Sequence, residues 1–385
     1  MEPRKISIIA AFVLSLVIPV AQAQLFRPLG LGKELSERKY YSFMPQMHIE
    51  DNTLYVCTNR GLYSKDLLHQ GSDWKLVGFE GIPLQDYARN GDDILALRYI
   101  ADSCFLLLSH DGGQTYEDIT SPTLIVNKPR DTNVLLRLAQ HPDDPNTLLV
   151  LSNVWGIYRS ADFGKTWNKL GGLTIGSFFG YHPARPEIIY NTGSDDIEEA
   201  WINISYDNGQ TWGYIGPFGH GGTVTFQIAF NPFNPDQWIL AAWEDMYKSE
   251  DNGHTWSSSE LSQTARTFWN LTAYDSENSE IAYAVGRGEI MCSTDGGRSW
   301  LTPQIVEDVK TTAYDFKQYG DKLLIYTPTD VYVASKADLL AQSSVQNLKR
   351  DDSVASSVTY DLQGRRISRP SNGIFINNGK KVAVK

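Results

Sequence analysis

Cysteine is scarce in this chain. Cys57, Cys104 and Cys292 are the only three in 385 residues. An odd count cannot be paired completely within the chain, and the spacings fit no zinc pattern. A disulfide framework is therefore excluded. The expectation is buried free thiols, with a Cys57–Cys104 bridge between adjacent units as the alternative. Positive charge is also in short supply: 34 Lys and Arg face 45 Asp and Glu, a formal net charge of −11. The imbalance is steeper in the body, where residues 24–357 carry −17 while the last 28 residues carry +5. Such a body repels phosphate backbones and anionic bilayers, which argues against nucleic acid and anionic membrane surfaces as partners. Neutral glycans and basic proteins remain. Long apolar runs are missing after residue 23. The one run, Ile6–Val20, is short for a bilayer span. It follows Arg4 and Lys5 and precedes Ala21-Gln22-Ala23. That is the pattern of a secretory signal over residues 1–23. No Cys follows the cleavage site, so an N-terminal lipid anchor is not expected, nor is a transmembrane segment in the mature chain.

What the chain has in abundance is a repeated eight-residue box. Ser205-Tyr206-Asp207-Asn208-Gly209-Gln210-Thr211-Trp212 reads Ser-x-Asp-x-Gly-x-Thr-Trp. Copies start at Ser109, Ser160, Ser249 and Ser293, so the leading serines stand 51, 45, 44 and 44 residues apart. A period of that size means stacked supersecondary units, most often propeller blades. Each box reads as a hairpin turn. The carboxylates of Asp111, Asp162, Asp207, Asp251 and Asp295 are expected to accept backbone N–H groups two residues on. The glycine supplies the positive φ of the reversal, and the Trp or Tyr starts the next strand as a large apolar ring between sheets. Repetition serves architecture, so these aspartates are expected to lock turns rather than bind metal or catalyse. Two weaker copies, Ser64-Lys65-Asp66 with Trp74 and Val331–Ser335, bring the count to seven units.

The boxes resemble the Asp-box, or bacterial neuraminidase, repeat over roughly residues 40–345. The stretch His141-Pro142-Asp143-Asp144-Pro145-Asn146-Thr147-Leu148, with Gly156-Ile157-Tyr158-Arg159, is similar to blades of xyloglucan hydrolases, sortilin-type receptors and photosystem II assembly propellers. The resemblance implies an all-β fold: a seven-bladed β-propeller of four-stranded blades over residues 24–340. It does not choose between hydrolase, receptor and assembly factor. Sialidase activity is not expected, because the Arg-Ile-Pro element of that family has no counterpart here. Xyloglucan hydrolases resemble two such propellers flanking a cleft, and one is present here.

Alternation and turn residues give the strands. The third unit reads Val134–Gln140, Thr147–Leu151, Gly156–Ser160 and Thr166–Leu170. The fifth reads Thr223–Phe230, Gln237–Ala242, Met246–Ser249 and Thr255–Ser258. The sixth reads Thr267–Tyr274, Ile281–Val285, Glu289–Ser293 and Ser299–Thr302. The seventh shows three, Thr311–Phe316, Lys322–Tyr326 and Val331–Ser335, and its fourth is expected from the N-terminal segment Arg27–Leu35. Residues 341–357 are polar and Ser-rich and read as a linker. Residues 358–385 form short strands broken by Gly and Asn-Gly turns. Their Tyr360-Asp361-Leu362-Gln363-Gly364-Arg365 and Gly373-Ile374-Phe375-Ile376-Asn377-Asn378-Gly379-Lys380-Lys381 elements resemble the C-terminal sorting domain of the Bacteroidetes type IX secretion system. That resemblance implies a secreted or outer-membrane-surface location. An ordinary small β appendage is the alternative.

Ligand sites favour faces where loops converge. Loops between strands two and three, and between blades, share the face opposite the boxes. They gather Trp155, Asp195, Asp196, Glu198, Glu199, Trp243, Glu244, Asp245, Arg287 and Glu289. Starts of inner strands add Tyr40, Tyr41, Tyr87, Phe178, Phe179, His220, Arg266, Phe268 and Trp269. Aromatic rings beside carboxylates suit sugar recognition, and paired carboxylates are what glycoside hydrolysis requires. The catalytic candidates are therefore Asp195, Asp196, Glu198, Glu199, Glu244 and Asp245. The ligand-binding candidates are Trp155, Trp243, Trp269, His220, Arg266 and Arg287. A solvated acidic loop over core aromatics is the plainer alternative, and His220 in its Gly-rich turn can equally be structural. Neither a metal nor a cofactor is expected. The partner is a polysaccharide or glycoconjugate handled at the cell surface, with or without hydrolysis. The alternative is a surface protein held by a non-enzymatic scaffold.

Overall fold

The computed structural model describes residues 25–37, 44–69, 71–100, 103–124, 135–152, 156–171, 176–194, 200–218, 225–242, 245–259, 261, 269–286, 288–301, 303–306 and 313–343. In the C-terminal segment it describes 359–360, 366–367, 373–377 and 380–384. The expected signal segment lies outside these residues.

Seven four-stranded antiparallel sheets make the blades of a β-propeller. Blade 1 is Met47–Glu50, Thr53–Thr58, Gly61–Asp66 and Lys75–Gly78. Blade 2 is Leu84–Asn90, Asp93–Ile100, Ser103–Ser109 and Glu117–Asp118. Blade 3 is Leu135–His141, Asp144–Ser152, Gly156–Ser160 and Asn168–Gly171. Blade 4 is Gly176–His182, Arg185–Ser194, Ala200–Ser205 and Gly213–Phe218. Blade 5 is Thr225–Phe230, Trp238–Ala242, Asp245–Ser249 and Ser257–Ser258. Blade 6 is Trp269–Tyr274, Ala282–Gly286, Glu289–Ser293 and Gln304–Ile305. Blade 7 takes Asp315–Tyr319, Lys322–Tyr326 and Val331–Ser335 from the end of the ring and Arg27–Pro28 from its start. Arg27 pairs with Val333 and Pro28 with Tyr332, so the expected closure by the N-terminal segment is the observed one. Only two residues of that segment are strand, and Lys33–Ser36 form a single helical turn.

The boxes are tighter than expected. Asp207 Oδ1 accepts the N–H of Thr211, four residues on rather than two, at 2.8 Å, and Oδ2 accepts its hydroxyl at 2.6 Å. Ser205 Oγ donates to Asp207 Oδ1 at 2.8 Å and accepts the N–H of Gly209 at 2.8 Å. Asn208 and Gly209 both have positive φ, 62° and 86°. The same bonds recur around Asp111, Asp162, Asp251 and Asp295. Because the Thr belongs to the turn, the outer strands of blades 3 and 5 begin two residues later than expected, at Asn168 and Ser257. In blade 6 the outer strand moves from the expected Ser299–Thr302 to Gln304–Ile305, since Trp300 is tucked into the core at 4% exposure. The degenerate first box is held otherwise: Asp66 caps the N–H of Leu68 and meets the imidazole of His69.

Among the described residues the core divides into seven apolar clusters, one at each seam between blades. Alternation explains this: along Asp93–Ile100, Ile94 and Ala96 enter the seam with blade 1, and Leu95, Leu97 and Tyr99 enter the seam with blade 3. All three cysteines are buried thiols outside any disulfide. Cys57 and Cys104 sit in different seams, so the alternative bridge does not form. A helix over 336–343 follows blade 7 and crosses the expected start of the linker at 341. The C-terminal residues form a separate four-stranded sheet, Thr359–Tyr360, Arg366–Ile367, Gly373–Asn377 and Lys380–Val384.

Candidate functional site

Most of the expected mouth lies outside the described residues: Trp155, Asp195, Asp196, Glu198, Glu199, His220, Trp243, Glu244, Arg266 and Arg287. Asp245 begins the third strand of blade 5 and is half-buried. Glu289 holds the same place in blade 6, and burial pushes its carboxyl above the usual carboxylate range. Trp269 is placed otherwise than expected. It is wholly buried with Ala241, Met246 and Met291 in the seam between blades 5 and 6. It starts the innermost strand of its blade, and its ring serves that seam rather than the mouth. The five box aspartates are spent on their own turns.

The described residues do assemble a polar layer at the hub, where the innermost strands surround the channel. The layer is built by a recurring register slip. It falls between Leu84 and Asp86, Leu135 and Arg137, Gly176 and Phe178, Thr225 and Ile228, and Trp269 and Leu271. A bulge re-aims the side chains beside it. Asp86 Oδ2 then accepts the N–H of Leu138 in the next blade at 2.9 Å. Gln227 Oε1 accepts that of Thr272 at 3.0 Å, and Asp315 Oδ2 that of Met47 at 3.0 Å. These side chains clip three of the seams.

Arg137 and Phe178 occupy the corresponding places in blades 3 and 4. The guanidinium lies 4.1 Å from the centre of the Phe178 ring, a cation–π stack. Burial lowers the Arg137 pKa, and the fields of Asp315 and Asp86 oppose that shift. Asp86 also meets His48 Nε2 at 2.8 Å, with His48 36% exposed and Asp86 2%. Beside this pair, Glu50 bridges Tyr87 Oη at 2.6 Å and Arg89 Nη1 at 2.9 Å across the seam between blades 1 and 2. Phe178 was legible as an inner-strand residue. Arg137 was not singled out, although one signal existed: it precedes its box serine by 23 residues, as Asp86 does.

The family model described as Sortilin-Vps10 (sortilin, neurotensin receptor 3) matches residues 200–365. The photosystem II assembly protein Ycf48 of Thermosynechococcus vestitus is 26% identical over 198 residues, covering 50% of this chain and 52% of that protein. The chain thus spans about half the length of that curated relative. Among solved structures, a xyloglucanase from Xanthomonas campestris matches with a TM-score of 0.61 and 18% identity, over 81% of this chain and 54% of that one. Ycf48 bound to D1 peptide matches with a TM-score of 0.54 and 17% identity, over 78% of this chain and 99% of that one. At such identities the structural likeness speaks for the propeller fold. The kinds of protein matched are glycan-processing, receptor and assembly propellers.

Proposed function

We propose that this chain is an exported propeller that recognises a polysaccharide or glycoconjugate at the cell surface. The observation that carries the reading is the hub arginine. Arg137 stands in a layer where Asp86, Gln227 and Asp315 clip blades together, yet its residue type offers no acceptor, and among the described residues its donors meet none. The acidic body, −17 over residues 24–357, favours an uncharged polymer over nucleic acid or anionic lipid. The apolar signal-like segment and the sorting-type C-terminal strands support export to the surface.

The test exposes the mature chain, residues 24–385, to a panel of neutral plant and host polysaccharides. Thermal shift and reducing-end release are read together. A shift without release is the expected result. Release would make the chain a hydrolase, and the carboxylates of 195–199 and 244–245 would be substituted next. Neither signal would transfer the weight to a protein-binding scaffold. That second reading has its own support: one ring of this size covers 99% of a Ycf48 chain whose structure holds a peptide.

A further inference from the structure

Repeats give an internal control: the same position can be compared from blade to blade. At the hub, the side chain next to the register slip is an acceptor in blades 2 and 5, Asp86 and Gln227, and Asp315 acts likewise in blade 7. Each saves a backbone N–H of the following blade from burial without a partner. Blades 3, 4 and 6 give up this clip, Leu271 following the slip in blade 6. Arg137 has only donors, and Phe178 has no polar atom. Departures of this kind, where folding alone would favour the acceptor, are expected at functional sites.

The two residues make a different arrangement. The Phe178 ring belongs to the buried cluster of the seam between blades 6 and 7, with Leu271, Ala313 and Phe316. It therefore reaches across the hub from blade 4 to blades 6 and 7. One face of the Arg137 guanidinium is covered by this ring. Arg137 is only half-buried, and its N–H edge makes no hydrogen bond or ion pair among the described residues. The nearby carboxylates are already occupied. Asp86 accepts from the N–H of Tyr87 at 2.9 Å and of Leu138 at 2.9 Å, and meets His48. Asp315 accepts from Phe316 and Met47 and from the Lys317 ammonium at 3.1 Å. They act on Arg137 through their field, not by contact.

Among the described residues these hub charges balance, Arg137 and Lys317 against Asp86 and Asp315. An anion added here would leave a half-buried layer with net negative charge, which is costly. A neutral acceptor, such as a hydroxyl or ring oxygen, satisfies the guanidinium donors without that penalty. With the Phe178 ring lying across the hub, the end of a chain fits beside Arg137 better than its middle.

Resting on the glycan-recognition reading above, we infer that Arg137, backed by Phe178, is a subsite at the hub for the uncharged terminal residue of a carbohydrate chain. The interior of the polymer lies outside the channel, along the mouth.

The experiment measures binding of neutral oligosaccharides to the 24–385 chain by calorimetry, beside the same oligosaccharides ending in a uronic acid. Arg137→Met is expected to weaken a neutral ligand by about 10–30-fold, the loss of one or two hydrogen bonds in a half-buried site. Arg137→Lys keeps the charge and loses the planar fork, so it is expected to weaken binding about tenfold with the fold intact. Gln227→Leu removes a clip, and is expected to lower the melting temperature while leaving affinity unchanged. Unaltered affinity in both Arg137 variants would overturn the subsite and leave the glycan reading standing. Binding of uronic-acid ends alone would overturn the neutral specificity. A wild-type chain that binds no oligosaccharide would overturn both.

Discussion

The serine of each box does more than its small size suggests. Ser160 Oγ is fully buried, donates to Asp162 at 2.7 Å and accepts the N–H of Gly164 at 2.8 Å. Ser160→Ala leaves that N–H and one carboxylate oxygen short of a partner, and is expected to cost about 1–3 kcal/mol in denaturant unfolding. A loss of only a few tenths would show that water replaces the hydroxyl. The aspartates make stability depend on acid. Hydroxyl and backbone donors from Thr211 and Thr115 hold Asp207 and Asp111 at about 2, below the usual carboxylate range. Asp162, Asp251 and Asp295 shift the same way, with burial opposing. A pKa depressed in the fold means stability that is fully present above the unfolded value. It is lost as pH falls through the folded one. Unfolding free energy is therefore expected to decline between about pH 4 and pH 2. Replacing all five by Asn should flatten that decline; a profile unchanged by the replacement would place the acid sensitivity elsewhere. The box was legible because its bonds join residues at most four apart. Arg137 was less so, since its meaning depends on which residue stands opposite in other blades.

At the scale of elements, the closing segment is the most exposed joint. Its strand is two residues long, and side chains reinforce it. Asp330 accepts the N–H of Leu31 at 3.0 Å, of Gly32 at 3.1 Å and of Val331 at 2.8 Å. Trp74 Nε1 donates to Leu29 O at 3.1 Å, and Phe26 is buried at 2%. Asp330→Ala is expected to destabilise by about 2–4 kcal/mol, since three donors lose a charged acceptor at once. Limited proteolysis should then cut the N-terminal segment first. If cleavage instead begins elsewhere, the latch is held by Phe26 and not by Asp330. The sequence pointed to this closure because blade 7 lacked a fourth strand of its own. It could not say that only Arg27–Pro28 would pair, because the register depends on Val331–Ser335, some 300 positions away.

For the whole molecule, seven seams share their strands in both directions, since each central strand buries one face in each neighbouring seam. A closed ring of this kind leaves only short, protected blade edges and packs every blade on two neighbours, so its blades should unfold together. Calorimetry of the 24–385 chain is expected to show one main transition for the ring. A 38–385 chain, lacking the closing segment, is expected to melt lower and more broadly. A single sharp transition at an unchanged temperature would show that the ring does not need its N-terminal strand. The sequence by itself determined the seven-unit all-β ring, its turns and its acidic surface. Each of those follows from local bonds, from a period near 44 residues and from composition, none of which needs a partner in space. Only the tertiary structure decided that Trp269 is a core ring, that Cys57 and Cys104 face different seams, and that Arg137 meets Phe178 at the hub. Those facts arise from bulges and cross-blade register, where a shift of one residue turns a side chain from one seam to the other.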